Sequence, residues 1–271
     1  MILSTTRAHL AAALDPIRGR GGRLGFVPTM GYLHEGHLAL VEAARVQSDI
    51  VIASLFVNPL QFDESADLDR YPRDTVRDAE LLAEAGCDVL FAPEMEEMYP
   101  EPPLARVSLS GIAEEMEGAR RPGHFEGVAT VVAKLFAGLQ PDRAYFGRKD
   151  AQQLVVVTRM AADLSFPVEV VGCPTVRESD GLALSSRNVF LGSEDRTAAL
   201  ALSRGLAAAA HAAGAGERSG AALEGLVRDE LDRTPGVEPE YTVLADGARA
   251  TRIPDLDLSL IHISEPTRPV G

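Results

Sequence analysis

From Leu24 to Val171, short apolar runs alternate with segments of helical periodicity. Parallel strands need a crossover connection that is usually a helix, so this alternation predicts an α/β fold with a mostly parallel sheet covered on both faces. The predicted strands are a short one at the N-terminus, Leu24–Val27, Ile50–Val57, Val89–Ala92, Ala144–Phe146 and Val168–Val171. The predicted helices are one after the first strand, Leu38–Val46, Asp74–Ala85, Val128–Leu139 and Gln152–Leu164.

The composition changes near Thr175, after which alanine-rich helical segments replace the alternation. The predictions for this part are helices at Thr197–Ala213 and Ala221–Arg233 and a strand at Glu240–Leu244. The chain is therefore predicted to form a main domain of residues 1–175 and a smaller α+β domain of residues 176–258. A cleft between two such domains is a usual place for ligands.

Residues 259–271, SLIHISEPTRPVG, contain two prolines and no sustained periodicity. Two interpretations stay open: a disordered tail, or translated sequencing-adapter sequence that is not native and replaces a natural C-terminus. The segment predicts no element of the fold, and we expect the smaller domain to be incomplete.

The charge of the chain is strongly acidic. Acidic residues number 40 and basic residues 26, which gives a formal net charge of −14. Such a surface repels nucleic acid, whose binding requires Lys and Arg to neutralise phosphates, although a locally positive cleft could still bind an anionic small molecule. The basic residues are 24 Arg and only two Lys, so Lys134 and Lys149 each hint at a place where a compact ammonium is required.

Cys87 and Cys173 lie in apolar stretches beside predicted strands, which favours reduced, buried thiols and a reducing compartment. No stretch approaches the roughly 20 apolar residues that a membrane-spanning helix needs, and the N-terminal segment has no long apolar run. We therefore expect a soluble, cytoplasmic protein with no targeting segment and no membrane partner.

The segment PTMGYLHEGH runs from a strand through a glycine turn to two histidines at the start of a helix. A helix N-terminus offers free N–H groups and a partial positive charge, which suits phosphate. His34 and His37 share a helix face and can donate to phosphoryl oxygens, while Gly31 and Gly36 let a nucleotide approach the backbone. Two surface histidines on a helix cap are the alternative. The spacing differs from the zincin H-E-x-x-H pattern, so no metal-ligating residue is predicted.

Two later segments offer further phosphate contacts. In FGRKDAQQ, Lys149 could bridge phosphate oxygens, with Asp150 and Gln153 available for ribose or a second substrate. Alternatively, Asp150 is a plain helix cap and Lys149 is solvated. In DGLALSSRN, two hydroxyls precede Arg187 and form a small anion-binding group. An Asp-Gly turn followed by a serine helix cap explains the same residues.

The segment FVNPLQF ends an apolar strand and sets Asn58 and Gln61 among hydrophobic residues. Such a pocket suits a small substrate with hydroxyl and methyl groups, because amides orient the substrate and apolar side chains fill the space around it. A turn that begins at Asn58 is the alternative. RRPGHFEG places Arg121 and His124 just before a helix, in a position that suits phosphate or forms an exposed loop.

Taken together and in this order, these five segments closely resemble the pantothenate synthetases, or pantoate–β-alanine ligases. The likeness is dense from Val27 to about Asn188 and fades through the C-terminal part. That family belongs to the nucleotidyltransferase superfamily related to class I aminoacyl-tRNA synthetases. The resemblance implies a Rossmann-like N-terminal domain, a smaller C-terminal lid and a homodimer.

The resemblance also implies a role for each motif residue. The residues implied to act on the phosphates during catalysis are His34, His37, Lys149, Ser185, Ser186 and Arg187. Those implied to bind ATP are Pro28, Thr29, Met30, Gly36, Gly147, Asp150, Val176 and Leu184. Those implied to hold pantoate or to lie near it are Met30, Asn58, Gln61, Gln153, Tyr71, Arg121 and His124.

The implied activity is an ATP-dependent condensation of pantoate with β-alanine through pantoyl adenylate, with release of AMP and pyrophosphate. Mg²⁺ is expected to be held mainly by the ATP phosphates. The expected partners are these three small molecules and a second copy of the chain. Two rival functions are a nucleotidyltransferase for a phosphorylated acceptor and an RNA-binding module without catalysis. The amide pair without a nearby cation argues against the first, and the net charge of −14 argues against the second.

Overall fold

The computed structural model describes residues 1–19, 21–62 and 65–256. The strands in these residues are β1 Ile2–Ser4, β2 Leu24–Thr29, β3 Ile50–Leu55, β4 Val89–Phe91, β5 Arg143–Gly147 and β6 Glu169–Cys173. They form one sheet in the order β1-β4-β3-β2-β5-β6, and every pairing is parallel. The predicted parallel sheet is confirmed, with strand ends that shift by one or two residues.

Helices connect the strands and extend beyond them. Their bounds are α1 Arg7–Arg18, α2 Glu35–Gln47, α3 Ser65–Arg70, α4 Thr75–Glu84, α5 Met95–Met98, α6 Met116–Arg120, α7 His124–Leu139, α8 Ala151–Asp163, α9 Ser193–Gly214 and α10 Gly220–Asp232. All the predicted helices are present. The short helices α3, α5 and α6 were not predicted, because a helix of one or two turns has too few residues to show a period.

The sheet has a packed layer on each face, which is why its strands read as continuous apolar runs. One layer contains α1, α7 and α8, and Phe26 and Phe136 lie in its core. The other layer contains α2 and α4, and Val41 and Leu82 lie in its core. Cys87 and Cys173 are free thiols buried in the second layer, as predicted.

Helices α9 and α10 form a third, separate cluster, in which Ala201 and Leu223 are buried. The predicted strand at Glu240–Leu244 is wrong, because this backbone is irregular and the isolated bridge between Ala245 and Arg252 lies just beyond it. A strand needs a continuous partner, and the described residues after Thr175 supply isolated bridges alone. The described residues 176–256 therefore contain the helices α9 and α10, irregular segments and isolated bridges.

Two further predictions concern the whole chain. No helix in the described ranges is long and apolar enough to span a membrane. The tail predicted at residues 259–271 lies outside the described residues.

The strand order reverses direction at β2. The chain passes from β2 to β3 and β4 on one side, and β5 and β6 then lie on the other side of β2. In open α/β sheets, ligands bind outside the carboxyl ends of the strands at such a switch point. A ligand site is therefore expected beside the segments that follow β2, β3 and β5.

Candidate active site

A cavity of about 700 Å³ lies at the carboxyl ends of β2, β3 and β5. This volume is in the range of small-molecule and cofactor sites. Every residue to which the resemblance assigned a role, from Pro28 in β2 to Arg187 after β6, lines this cavity. The five motifs are thus brought together in space, although they are spread over most of the chain.

The two motif histidines stand at the N-terminus of α2. His34 is the N-cap residue, and its ring lies 4.1 Å from the ring of His37, measured between centroids. The Nδ1 atom of His34 accepts from the Gly36 N–H at 3.1 Å, and the Nδ1 atom of His37 accepts from the His34 N–H at 3.3 Å. A neutral imidazole that accepts at Nδ1 carries its proton on Nε2. Both rings therefore have an Nε2–H donor left for a ligand.

These histidines are uncharged at neutral pH. Burial, followed by the nearby Lys149 ammonium, lowers the pKa of His34 to about 4. Burial, followed by His34, lowers the pKa of His37 to about 3. The pair offers hydrogen-bond donors to an anion, and the positive charge in this part of the cavity comes from Lys149.

A buried carboxylate fixes the turn that leads to the histidines. Asp78 in α4 accepts from the backbone N–H groups of Tyr32 at 2.6 Å and Leu33 at 2.8 Å. The turn needs this support because Gly31 and Tyr32 both have positive φ angles, 90° and 51°. Asp78 thus joins α4 to the loop between β2 and α2 and holds the start of α2 in place.

Lys149 and Asp150 follow β5 in a short 3₁₀ helix, Arg148–Asp150. The Lys149 Nζ lies 3.2 Å from the Asp150 Oδ1, and the lysine side chain is only 15% exposed. Desolvation opposes ionisation of Asp150, but Lys149 together with Arg187 and His124 lowers the pKa of the carboxyl overall. Asp150 makes no side-chain cap bond to α8, so the two residues form a charged pair at the cavity rather than a plain cap and a solvated lysine.

The residues Ser185, Ser186 and Arg187 begin a second 3₁₀ helix, Ser186–Phe190. Ser185 accepts from the Arg187 N–H at 3.3 Å, and the Ser186 hydroxyl donates to the Tyr32 carbonyl at 3.0 Å. Ser185 therefore caps this helix, as the alternative interpretation held, and the same residues also line the cavity. The Arg187 guanidinium lies 3.0 Å from the Asp67 carboxylate and over the Tyr71 ring, 5.8 Å from its centroid.

The amides of Asn58 and Gln61 are buried and hydrogen-bonded to each other. Asn58 Nδ2 donates to Gln61 Oε1 at 3.1 Å and to the Gly127 carbonyl at 3.1 Å, and Asn58 also caps the 3₁₀ helix Pro59–Gln61. Gln61 Nε2 points to the Met30 sulfur at 3.2 Å. The predicted polar pair therefore faces the cavity as a hydrogen-bonded unit.

A model of the family described as pantoate-beta-alanine ligase matches residues 2–263. A pantothenate synthetase from Moorella thermoacetica is 52% identical over 244 residues, which cover 90% of this chain and 85% of that protein. The chain belongs to the pantoate–β-alanine ligase family. The resemblance drawn from the motifs is confirmed, and with it the assignment of the chain as a ligase of pantothenate biosynthesis.

Solved structures agree with this membership. The crystal structure of pantothenate synthetase from Thermus thermophilus has a TM-score of 0.90 and 53% identity, with 96% of this chain and 92% of that chain covered. Pantoate-beta-alanine ligase from Francisella tularensis, in a complex with beta-gamma ATP and beta-alanine, has a TM-score of 0.71 and 38% identity, with 75% and 78% covered.

Arg121 and His124 line the cavity of this pantoate–β-alanine ligase and contact the same backbone oxygen. Arg121 Nη2 donates to the Gln61 carbonyl at 3.2 Å, and His124 Nδ1 lies 2.8 Å from the same oxygen. His124 is the first residue of α7 and is buried, so the exposed-loop alternative is wrong. Both side chains hold the Gln61 backbone.

The sequence analysis missed several residues that line the cavity of the ligase. Gln152 is buried, accepts from the Glu117 N–H at 3.1 Å and donates to the Ile112 and Glu115 carbonyls, so it ties α8 to the start of α6. Tyr241 reaches the cavity from the irregular segment after α10. Gln152 could have been found from its position beside Gln153, whereas no local signal marks Tyr241.

Proposed function

We propose that this chain condenses pantoate with β-alanine in a reaction driven by ATP. The reaction passes through pantoyl adenylate, and ATP is converted to AMP and pyrophosphate. The observation that carries the proposal is the cavity itself, where cationic and N–H donors from three strand ends lie beside a buried amide pair. The complex of the Francisella relative with beta-gamma ATP and beta-alanine supports ATP and β-alanine as substrates.

The phosphates of ATP would lie at the N-terminus of α2. His34 and His37 would donate through Nε2–H, and Lys149 would supply a point charge. The donors are in place before the substrate binds, so they stabilise charge as it develops without a cost of reorganisation. Ser185, Ser186 and Arg187 would complete the phosphate contacts from the opposite side.

The nucleoside would lie along the ends of β2 and β5. Residues proposed to contact it are Pro28, Thr29, Met30, Gly36, Gly147, Asp150, Val176 and Leu184. Pantoate would lie between the two amides and Gln153, with Met30 beside it and Tyr71, Arg121 and His124 nearby. The apolar side chains of Phe56 and Val128 line the same region and would face the methyl groups.

In the first step, a pantoate carboxylate oxygen attacks the α-phosphorus and the bond to pyrophosphate breaks. In the second step, the β-alanine amine attacks the acyl carbon, loses a proton and displaces AMP. No covalent bond to the protein is needed, so the side chains orient the reactants and stabilise charge.

Magnesium would be held mainly through the phosphates of ATP. In the described part of the chain there is no group of three or more His, Cys, Asp or Glu residues that could hold a metal. Asp150, which stays ionised beside Lys149, is a carboxylate at the cavity that would contact the magnesium ion directly or through a water molecule. When bound, the ion would neutralise phosphate charge.

Residues 1–175 would bind ATP and pantoate, and residues 176–258 would act as a lid. The separate hydrophobic cluster of α9 and α10 supports this division. The family resemblance supports a homodimer, and the two free thiols support a cytoplasmic location.

The test is to incubate the purified chain with ATP, Mg²⁺ and pantoate, with and without β-alanine, and to follow AMP and pantothenate by mass spectrometry. Equal amounts of both products, formed only with all substrates, are expected. Pantoate labelled with oxygen-18 in its carboxylate should transfer one labelled oxygen to AMP. ADP in place of AMP, or unlabelled AMP, would rule out the adenylate route.

A further inference from the structure

Tyr99, at the C-terminus of α5, reaches the buried amide pair from outside the cavity. Its hydroxyl donates to Asn58 Oδ1 at 3.0 Å. Its ring packs against Phe56 at 5.9 Å between centroids, and Lys134 Nζ in α7 lies 5.5 Å from its centroid. Lys134, the lysine to which no motif gave a role, therefore lies against this tyrosine ring.

The orientation of the Asn58 amide follows from its neighbours. The Gly127 carbonyl can only accept, so it must face Nδ2 at 3.1 Å. The Leu60 N–H can only donate, and it faces Oδ1 at a long 3.4 Å. Tyr99 must then donate to Oδ1, and it supplies the shorter of the two bonds to that oxygen.

The Asn58 orientation determines that of Gln61. The second N–H of Asn58 Nδ2 faces Gln61 Oε1, so the NH₂ group of Gln61 points the other way. Within the described residues its one acceptor is the Met30 thioether at 3.2 Å, which is a weak one. Gln61 is buried at the cavity wall, so an N–H donor is left for a ligand oxygen.

We propose that Tyr99 is a positioning residue: it holds the Asn58 amide in the orientation that Gly127 and Leu60 require, so that Gln61 presents N–H groups to a carboxylate or hydroxyl oxygen of the substrate. This inference rests on the proposed function, because the oxygen in question is one of pantoate. Burial raises the pKa of the Tyr99 hydroxyl to about 12, so this hydroxyl is protonated at neutral pH.

The close approach of α7 supports the same arrangement. A Cβ at Gly127 would lie 2.1 Å from the Leu60 carbonyl, so only glycine lets the Gly127 carbonyl reach Asn58. The amide pair is thus enclosed by α7 on one side and by Tyr99 on the other, with the cavity as its remaining open direction.

The experiment is the Tyr99→Phe variant, which keeps the ring contacts and removes the hydroxyl. The KM for pantoate should rise roughly tenfold, because one hydrogen bond to a buried acceptor is lost, while the KM for ATP stays at the wild-type value. Thr130→Val is the matched control: it removes another α7-side hydroxyl, which accepts from the Val107 N–H and does not touch the amides. Its KM for pantoate should not change.

A double-mutant cycle separates positioning from general loosening. Gln61→Leu should raise the KM for pantoate less in the Tyr99→Phe background than in the wild type, since the two changes disable one unit. Additive effects would overturn the role of Tyr99, as would an unchanged KM for pantoate in Tyr99→Phe.

Asn58→Asp is a second variant in case Tyr99→Phe folds poorly. The carboxylate cannot donate to Gln61 or to Gly127, so the KM for pantoate should again rise while the KM for ATP does not. An unchanged KM for pantoate would contradict the inference.

The proposed function and the inference fail in different ways. A wild-type chain that makes no pantothenate would overturn the proposed function. A wild-type chain that makes pantothenate, with an unchanged KM for pantoate in these variants, would overturn only the inference.

Discussion

The groups proposed to face the phosphates of ATP lie on two sides of the cavity that are held in different ways. On one side, His34, His37 and Lys149 follow β2 and β5 directly, and Asp78 fixes the connecting turn. On the other side, Arg187 is held by an ion pair with Asp67 in the short helix α3. We refer to these as the fixed side and the paired side.

The difference teaches that one cavity can combine histidine donors that need no rearrangement with a cation, Arg187, that must exchange or share its carboxylate partner. Under the proposed function, the histidines of the fixed side would stabilise developing charge at once, because these donors are preorganised. For Arg187 to contact a phosphate, its bond to Asp67 has to be replaced or shared. A partly exposed ion pair of this kind stabilises by about 0–1 kcal/mol, so the exchange is easy.

Removing the cation of the fixed side should have the largest effect. Lys149→Ala should lower kcat by roughly 10²–10³, the scale for loss of one preorganised donor. The measurement is steady-state formation of AMP at saturating substrates. The neighbouring variant Arg148→Ala is the control, because Arg148 donates to the Gly172 carbonyl and does not line the cavity. Near-normal turnover in Lys149→Ala would remove the lysine from the mechanism.

The half-buried histidines of the fixed side should make stability depend on pH. Their pKa values in the folded protein, about 4 and about 3, lie below the ordinary value of 6.5. As the pH falls from 6.5 towards 4, the unfolded chain takes up protons that the folded chain does not. The free energy of unfolding should therefore decrease as the pH falls through this window, as measured by urea denaturation.

A double variant isolates this contribution. His34→Asn with His37→Gln should show a smaller loss of stability across the same window than the wild type, since the titrating groups are gone. His9→Gln changes a histidine exposed on α1 and should keep the wild-type dependence. If the double variant follows the wild-type curve, other groups control the acid sensitivity.

The closeness of the two histidines on the fixed side was predictable from sequence, whereas the ion pair that holds Arg187 on the paired side was not. PTMGYLHEGH places both histidines on one turn of α2, so their closeness follows from helix geometry. Asp67 and Arg187 are 120 positions apart, and no spacing links them. The same holds for Asp78, which supports a turn from another helix.

The strands of the sheet show the same contrast with the chain after residue 175. Each predicted strand of the sheet has a neighbour on which its apolar run packs, so the local pattern and the fold agree. Glu240–Leu244 alternates in a similar way, yet Leu244 packs against the cluster of α9 and α10 without a partner strand. Local alternation alone does not form a strand when tertiary packing offers no pairing.

Removing the carboxylate that pairs with Arg187 on the paired side should have the smallest effect. Asp67→Asn removes the charge that competes for Arg187, so the KM for ATP should fall by at most about fivefold, in line with the small stabilisation from a partly exposed pair. Turnover should stay near the wild-type value, because the fixed side is unchanged. Asp69→Asn is the matched control, since it removes an exposed charge from the same helix α3. A rise in the KM for ATP in Asp67→Asn would mean that Asp67 helps to place Arg187 for the ligand, and the two sides would then be equally preorganised.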